Sequence, residues 1–513
     1  MKTKLIFICA GVGLLLLIGC ADDDSVEFGG HLQVSDVVAT DSKLVFLNYN
    51  QNEAVLIDAT DGAQSVQRIN LPVGPMYAEK RKGNEDEVLI LGYGSEGSRD
   101  SSEQPATLTR LNSQGQLVSY NLGFNPFDTL VQDPEGRFVF LLRRGNNDAL
   151  IRNLNEIAVV DLAAPATSVN AVVIQTLESQ PYSFFFSEQF KIGGTVRKLV
   201  CIASVNALSL VDLEHLDRMP TTVYLGQEED ANILPRQVIF DSATSRIYVR
   251  SENSDDLFTL RLSARDADVG HNNFATSMDI VAVGSEPSEM EMYSENGNSY
   301  LAVISARSHE AYFVDTATSK TWSVGVPAGI SRIKVFQRSH VDNITLHALL
   351  WAPGNQNFYI MDFLNLEEMQ GQNIRKIGQS QMPADELMSA FSGNRMLLLH
   401  QGSGLSIIDM DKETIEPFSS QVRLTDAAFD RTRNQFWVGP SRQLRIAYVN
   451  IENGKTDELL MDEPIEDIVP IFEAGKLAVI HMSALGAVTM VDVDDPSRNT
   501  AFMVKGFWME NSL

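Results

Sequence analysis

A few short stretches of the chain carry residue types at spacings that chemistry would require. Gly92-Tyr93-Gly94-Ser95-Glu96-Gly97 matches G-x-G-x-x-G and follows an apolar run. A dinucleotide site built on that pattern also needs a helix opening at its end and an acid about 20 residues on, because the pyrophosphate sits on the helix N-terminus and the ribose needs an acceptor. Here SRDSSEQPA follows, and residues 111–117 contain no acid, so the motif reads as a hairpin loop. Asp492-Val493-Asp494-Asp495 starts like a calcium loop. The glycine and glutamate that such a loop needs at its sixth and twelfth positions are Ser497 and Met503, so this stretch reads as a turn. The histidines His31, His215, His271, His309, His340, His347, His400 and His481 show no H-x-x-x-H or other zinc spacing. His400 and His481 each end an apolar run (MLLLH, LAVIH) and should lie near hairpin tips on one face. They either line a common site or are polar residues where strands meet solvent. There is no G-x-S-x-G elbow and no Cys-His nucleophile pair. Glu289, Asp426 and Glu466, near expected inner strands, are the acid–base candidates for an enzymatic reading.

The elements that must position these residues repeat. Pairs of apolar runs recur along the chain, and the second run of a pair often ends in Asp: AVLID (Asp58), IAVVD (Asp161), LSLVD (Asp212), AYFVD (Asp315), FYIMD (Asp362), LSIID (Asp409) and VTMVD (Asp492). Leu111, Arg261 and Asn450 take the Asp place in the other three copies. The spacing is about 48 residues, and residues 281–326 form one complete copy. Runs of four to six Val, Ile, Leu and Phe residues suit strands covered on both faces. Short strands at even spacing, separated by Gly, Asn and Asp turns, indicate an all-β repeat fold. Helix is expected only in short turns at 361–371 and 382–390. The aromatic run from Tyr182 to Phe186 reads as an inner strand, and Cys201, within LVCIA, as a buried apolar residue.

Val283-Gly284 with Pro287, and Val314-Asp315-Thr316-Ala317-Thr318, resemble the YVTN and WD40-like β-propeller repeat families. The resemblance covers about residues 31–505 and implies an all-β propeller of four-stranded blades. Ten units allow one large ring, two rings in tandem, or a seven- or eight-bladed ring with extra hairpins. The polar run 92–106 sits between two strands of one unit and reads as a long hairpin tip. The propeller is expected to occupy residues 31–510 as one domain.

Lys2 and Lys4 precede the apolar run Leu5–Gly19, which is shorter than the roughly 20 residues a bilayer span needs and suits a secretory leader. The run ends Leu17-Ile18-Gly19-Cys20, which resembles the lipobox of bacterial lipoproteins. The resemblance implies residues 1–19 as signal peptide, acylation of Cys20, and residues 20–30 as a tether. Two or three acyl chains would hold the bilayer durably, at roughly 0.8 kcal/mol per buried methylene. Ala21 after the cysteine implies the outer membrane. Asp22-Asp23-Asp24 resembles surface-export signals of Bacteroidetes lipoproteins, or else only keeps the tether soluble.

The net charge of −27 over 513 residues, made two units more negative by loss of Lys2 and Lys4, opposes contact with nucleic acid and anionic lipid. No cofactor is expected. The composite expectation is a lipid-anchored, non-catalytic binding or scaffold module whose partner is an envelope protein, a glycan or a matrix component. The alternative is a propeller-type hydrolase or lactonase with its site at the central channel. The partner face is expected at the hairpin tips, through Asn48, Tyr49, Arg143, Arg144, His309, His400, Arg442 and His481.

Overall fold

The computed structural model describes residues 34–60, 66–95, 104–123, 127–142, 156–166, 172–175, 180–226, 232–266, 272, 274–295, 297–339, 344–363, 373–379, 389–399, 404–419, 426–439 and 442–508. These residues form ten four-stranded antiparallel sheets, each made of four strands consecutive in sequence. The sheets are the blades of one ten-bladed β-propeller, numbered here 1 to 10 at 34–70, 75–123, 129–175, 183–224, 234–282, 287–325, 332–379, 389–419, 426–460 and 465–505. Ten apolar clusters join them, one between each pair of neighbours. One of these clusters combines Phe46 and Ile57 of blade 1 with Ile471 and Met490 of blade 10 and closes the circle. A single ring is therefore the arrangement formed, and tandem rings are excluded.

The paired apolar runs are the second and third strands of each blade. In blade 1 these are Lys43–Asn48 and Glu53–Asp58, and the four central residues of each are buried. Both faces of such strands meet neighbouring blades, which is why the runs do not alternate. The first strands of successive blades approach one another, so they surround the axis and the fourth strands form the rim.

The recurring Asp is a turn residue. Asp315 Oδ1 accepts the N–H groups of Ala317 (2.8 Å) and Thr318 (3.0 Å), and Asp492 Oδ1 those of Asp494 (2.9 Å) and Asp495 (3.1 Å). Asn450 makes the same bonds to Glu452 (3.0 Å) and Asn453 (3.1 Å). These are Asx turns, which need a short side-chain acceptor two or three residues back. In blade 2 the register pairs Glu87 with Asn112, as Lys43 pairs with Asp58 in blade 1, so Asn112 and not Leu111 is the counterpart.

Three smaller expectations meet the structure here. Met361 and Asp362, expected in a helical turn, end the strand Asn357–Asp362; residues 364–372 and 380–388 lie outside the described residues, and Ser389–Ser392 is a strand. Of the run 92–106, residues 92–95 and 104–106 extend the hairpin between the second and third strands of blade 2, with Ser95 bridging to Gln104, and residues 96–103 lie outside the described residues. The aromatic run opens the first strand of blade 4, Ser183–Ile192, with Phe184 and Phe186 packed 5.3 and 5.6 Å from Phe140 of blade 3.

Candidate functional site

Antiparallel order places the hairpin between second and third strands on the same face as the crossover to the next blade. Several tips turn through one residue with positive φ: Asn52 (52°), Asn206 (62°), His309 (55°) and Gly486 (82°). That residue's carbonyl accepts the N–H of the residue at the start of the crossover. The bonds are Leu71 to Asn52 (2.7 Å), Leu225 to Asn206 (2.8 Å), Val326 to His309 (2.8 Å) and Gly506 to Gly486 (2.7 Å). Asn52 and Asn206 add side-chain bonds to Gly74 N–H (2.9 Å) and Ile233 N–H (2.6 Å). Tip and crossover thus form one stitched unit, and the face they make is a rigid platform.

The expected partner residues divide on this face. His309 is an exposed tip residue at the position where blades 1 and 4 use Asn; Arg442 (φ 65°) is also exposed, two residues before Leu444, whose carbonyl accepts the Met461 N–H (2.6 Å) and so holds that position in blade 9. Asn48 is 2% exposed, and its amide donates to Gln51 Oε1 (2.8 Å) inside the first tip. Tyr49 is half-buried against the cluster between blades 1 and 2. His481 is buried, with Nδ1 3.0 Å from the Glu463 carbonyl and Nε2 2.7 Å from Thr489 Oγ1. Burial holds its pKa below the ordinary histidine value, opposed by the bond to Glu463. His481 therefore ties a tip to its crossover and does not meet solvent. Cys20, Arg143, Arg144 and His400 lie outside the described residues, so the pairing of His400 with His481 has no structural counterpart here.

Sequence reasoning missed the apolar part of the platform. Of the fourteen large hydrophobic residues exposed among the described ones, Val73, Tyr77, Tyr93, Leu444, Met482 and Leu485 belong to the tips, crossover or inner-strand start of blades 9, 10 and 2, a sector that runs across blade 1. Tyr93 is 55% exposed and Leu485 54%. The available signal was a large apolar side chain inside a Gly- and Ser-rich turn, as at Tyr93 and Leu485.

Across the ring, blades 5 to 7 present charge to the axis. Gln237 reaches from blade 5 to blade 6, donating to the Met290 carbonyl (2.6 Å) and accepting the Met290 N–H (3.0 Å). Glu289 and Glu291 of blade 6 accept the N–H groups of Ile333 (2.8 Å) and Val335 (2.6 Å) of blade 7. Innermost strands are sheet edges, and these side chains cap their open backbone groups. Arg250 donates to Gln237 (3.1 Å) and to the Pro287 carbonyl (3.2 Å). Burial pushes its pKa down to about 10. Burial raises the Glu289 carboxyl, opposed by the Ile333 N–H and by Arg332 at 3.8 Å. Glu466 is exposed on the first strand of blade 10, and the side chain of Asp426 lies outside the described residues.

No protein-family model matches the sequence, and no curated protein matches it by sequence. Solved structures do. The chain is similar to a dihydro-heme d1 dehydrogenase, NirN, in complex with DHE (12% identity, 74% of each chain, TM-score 0.37). It is similar to a eukaryotic initiation factor (11% identity, 75% of this chain and 87% of that one, TM-score 0.43). It is also similar to apo AztD from Citrobacter koseri (10% identity, 78% and 95%, TM-score 0.34). At these values no residue, ligand or activity carries over.

On the opposite face, Asp41, Glu85 and Glu473 converge from blades 1, 2 and 10. The ammonium of Lys80 sits among them at 3.6, 3.1 and 3.7 Å, so the position a cation would take is already filled. Cys201 is buried, and burial pushes its thiol pKa up, as a structural thiol requires.

Proposed function

We propose that this protein is a lipid-anchored bacterial envelope lipoprotein whose propeller, of the YVTN/WD40-like type, is a non-catalytic binding module. The observation that carries the reading is the exposed apolar sector on the tip face across blades 9, 10, 1 and 2. Exposed large side chains on this stitched face, Tyr93 and Leu485 above all, are favoured contact points, because covering them with a partner removes apolar area from water. The partner is an envelope protein, a glycan or a matrix component, and nucleic acid is disfavoured by the net charge. The lipobox supports acylation at Cys20 and anchoring in a bilayer, with the outer membrane favoured by Ala21.

The test is capture of envelope proteins and glycans by the unlipidated ectodomain, alongside Tyr93→Ala, Leu485→Ser and Gly/Ser replacement of the tips at Arg307–His309 and Arg442–Gln443. Capture should fall with the first pair and fall further with the loop replacements. Undiminished capture overturns the assignment to this face. Metabolic labelling with palmitate, lost in Cys20→Ser, checks the anchor. The half-buried Glu289 beside Arg332 favours a second reading, a hydrolase or lactonase with its site at the channel; lactone or glycan turnover that Glu289→Gln abolishes would establish it in place of the first.

A further inference from the structure

The rim of a propeller is a circle of open sheet edges, and nine of these ten edges are blunted. Their fourth strands have only four to seven residues. Blade 1 carries Arg68, blade 8 carries Glu416 and Pro417, blade 9 carries Asp457 and Glu458, and blade 10 carries Lys505. The ladders to the fourth strands of blades 2 and 7 contain register shifts. Short length, charge, proline and bulges are the usual means of keeping an edge from recruiting another strand.

Blade 5 lacks every one of these devices but a single charge. Its fourth strand, Phe274–Ala282, has nine residues paired with the third strand in unbroken register. Among the described residues, no strand covers its outer side. Met278 and Ile280 share one face and are 38% and 55% exposed. Asp279, on the other face, is the strand's only charged residue and is exposed; Arg261 of the third strand is opposite Ser277. Alternate residues of this edge therefore offer outward N–H and C=O groups, an apolar pair on one side and a carboxylate on the other.

We propose that the fourth strand of blade 5 accepts an extended segment of a partner protein as a fifth strand, with apolar residues beside Met278 and Ile280 and a basic residue beside Asp279. Main-chain bonds supply affinity in such additions, and alternate side chains supply selection. Charge decides between occupants. A second copy would bring another −27 charge to the contact. In the two-fold register that sets Met278 beside Ile280 it would also bring two Asp279 carboxylates face to face, which is destabilising.

The experiment is hydrogen exchange of residues 274–282 in the purified protein with a blocked octapeptide, TVTVKVTV, or its glutamate counterpart, TVTVEVTV. The lysine peptide should slow exchange in this strand, and the glutamate peptide should require about five-fold more peptide for the same effect. Ile280→Lys or Met278→Lys should abolish the protection with the melting temperature retained. Asp279→Lys should reverse the preference between peptides, which keeps the test decisive if either apolar variant folds poorly. The proposal is overturned by absence of protection at millimolar peptide, or by equal protection from both peptides in every variant. Protection that grows with protein concentration in the absence of peptide overturns it in favour of a second copy.

Discussion

Replacing Phe507 by Ala should loosen one seam of the ring and leave the rest intact. Crossovers of the chain join nine of the ten blade interfaces, but none joins blade 10 to blade 1, and no sheet is shared between them. After the last strand, Phe507 and Trp508 reach back onto blade 1. Phe507 packs 4.6 Å from the Phe46 ring, Trp508 meets that ring edge-on at 5.9 Å, and Arg68 Nη2 donates to the Phe507 carbonyl at 3.0 Å. Gly486 allows this approach: a Cβ there would lie 2.6 Å from Trp508 and 2.8 Å from Phe507. Phe507 is 1% exposed, and truncating a buried Phe to Ala costs about 3–5 kcal/mol. Because no covalent link backs this interface, the loss should appear as local opening. A cost of about 3 kcal/mol corresponds to roughly 10²-fold faster amide exchange in blades 1 and 10, read by mass spectrometry, with blades 5 and 6 unchanged. Phe313→Ala, a cut of the same size at the seam between blades 6 and 7, should not accelerate blades 1 and 10. The reasoning is refuted if Phe507→Ala leaves exchange in blades 1 and 10 unaltered, or accelerates all blades equally.

Two further outcomes follow from the inter-blade polar contacts. Gln237→Leu strands the Met290 N–H and carbonyl and one donor of Arg250, and should lower stability by about 1–3 kcal/mol in urea titration. Glu413 is paired with Arg375 and with Arg338 (2.7 Å), and these guanidiniums pull its pKa down to about 2 from an ordinary 4.5. A depressed carboxyl stabilises the fold above its unfolded pKa and loses that contribution as pH falls from about 4.5 towards 2. Because the pair is partly exposed, Glu413→Gln should cost about 1–2 kcal/mol at pH 7, and the gap from wild type should close near pH 2.

The middle hairpins were the legible part of the sequence. Two buried strands side by side need apolar residues on both faces, so all ten hairpins stand out as paired runs, and their Asx turns mark the ends. First strands were harder to read. One face of PSEMEMYSE meets a neighbouring blade, and the other sends carboxylates across to cap the next edge, so neither a strict alternation nor an apolar run emerges. The blade count was open for a related reason. Nothing local to any copy states how many will close, since closure depends on Phe46 and Ile57 of blade 1 meeting Ile471, Met490, Phe507 and Trp508, more than 400 residues away in sequence. At the tips, polarity was a poor guide. Asn48 and His481 are polar because a turn needs their hydrogen bonds, whereas the exposed residues include Tyr93 and Leu485, which composition would place inside.

Because every blade is contiguous, each ladder pairs residues within about 50 positions of one another, and a blade can form as soon as its own segment has emerged during synthesis. The seam is different. Until blade 10 has formed, the nascent protein is an open arc with two uncovered ends, one presenting Phe46 and Ile57 of blade 1 and the other the inward face of the newest blade. The growing chain therefore carries a sticky surface until Ile471, Met490 and Val504 of blade 10, and then Phe507 and Trp508, cover blade 1. A chain that stops short of blade 10 would keep the arc open, a species recognisable by quality control from the exposed surface of blade 1.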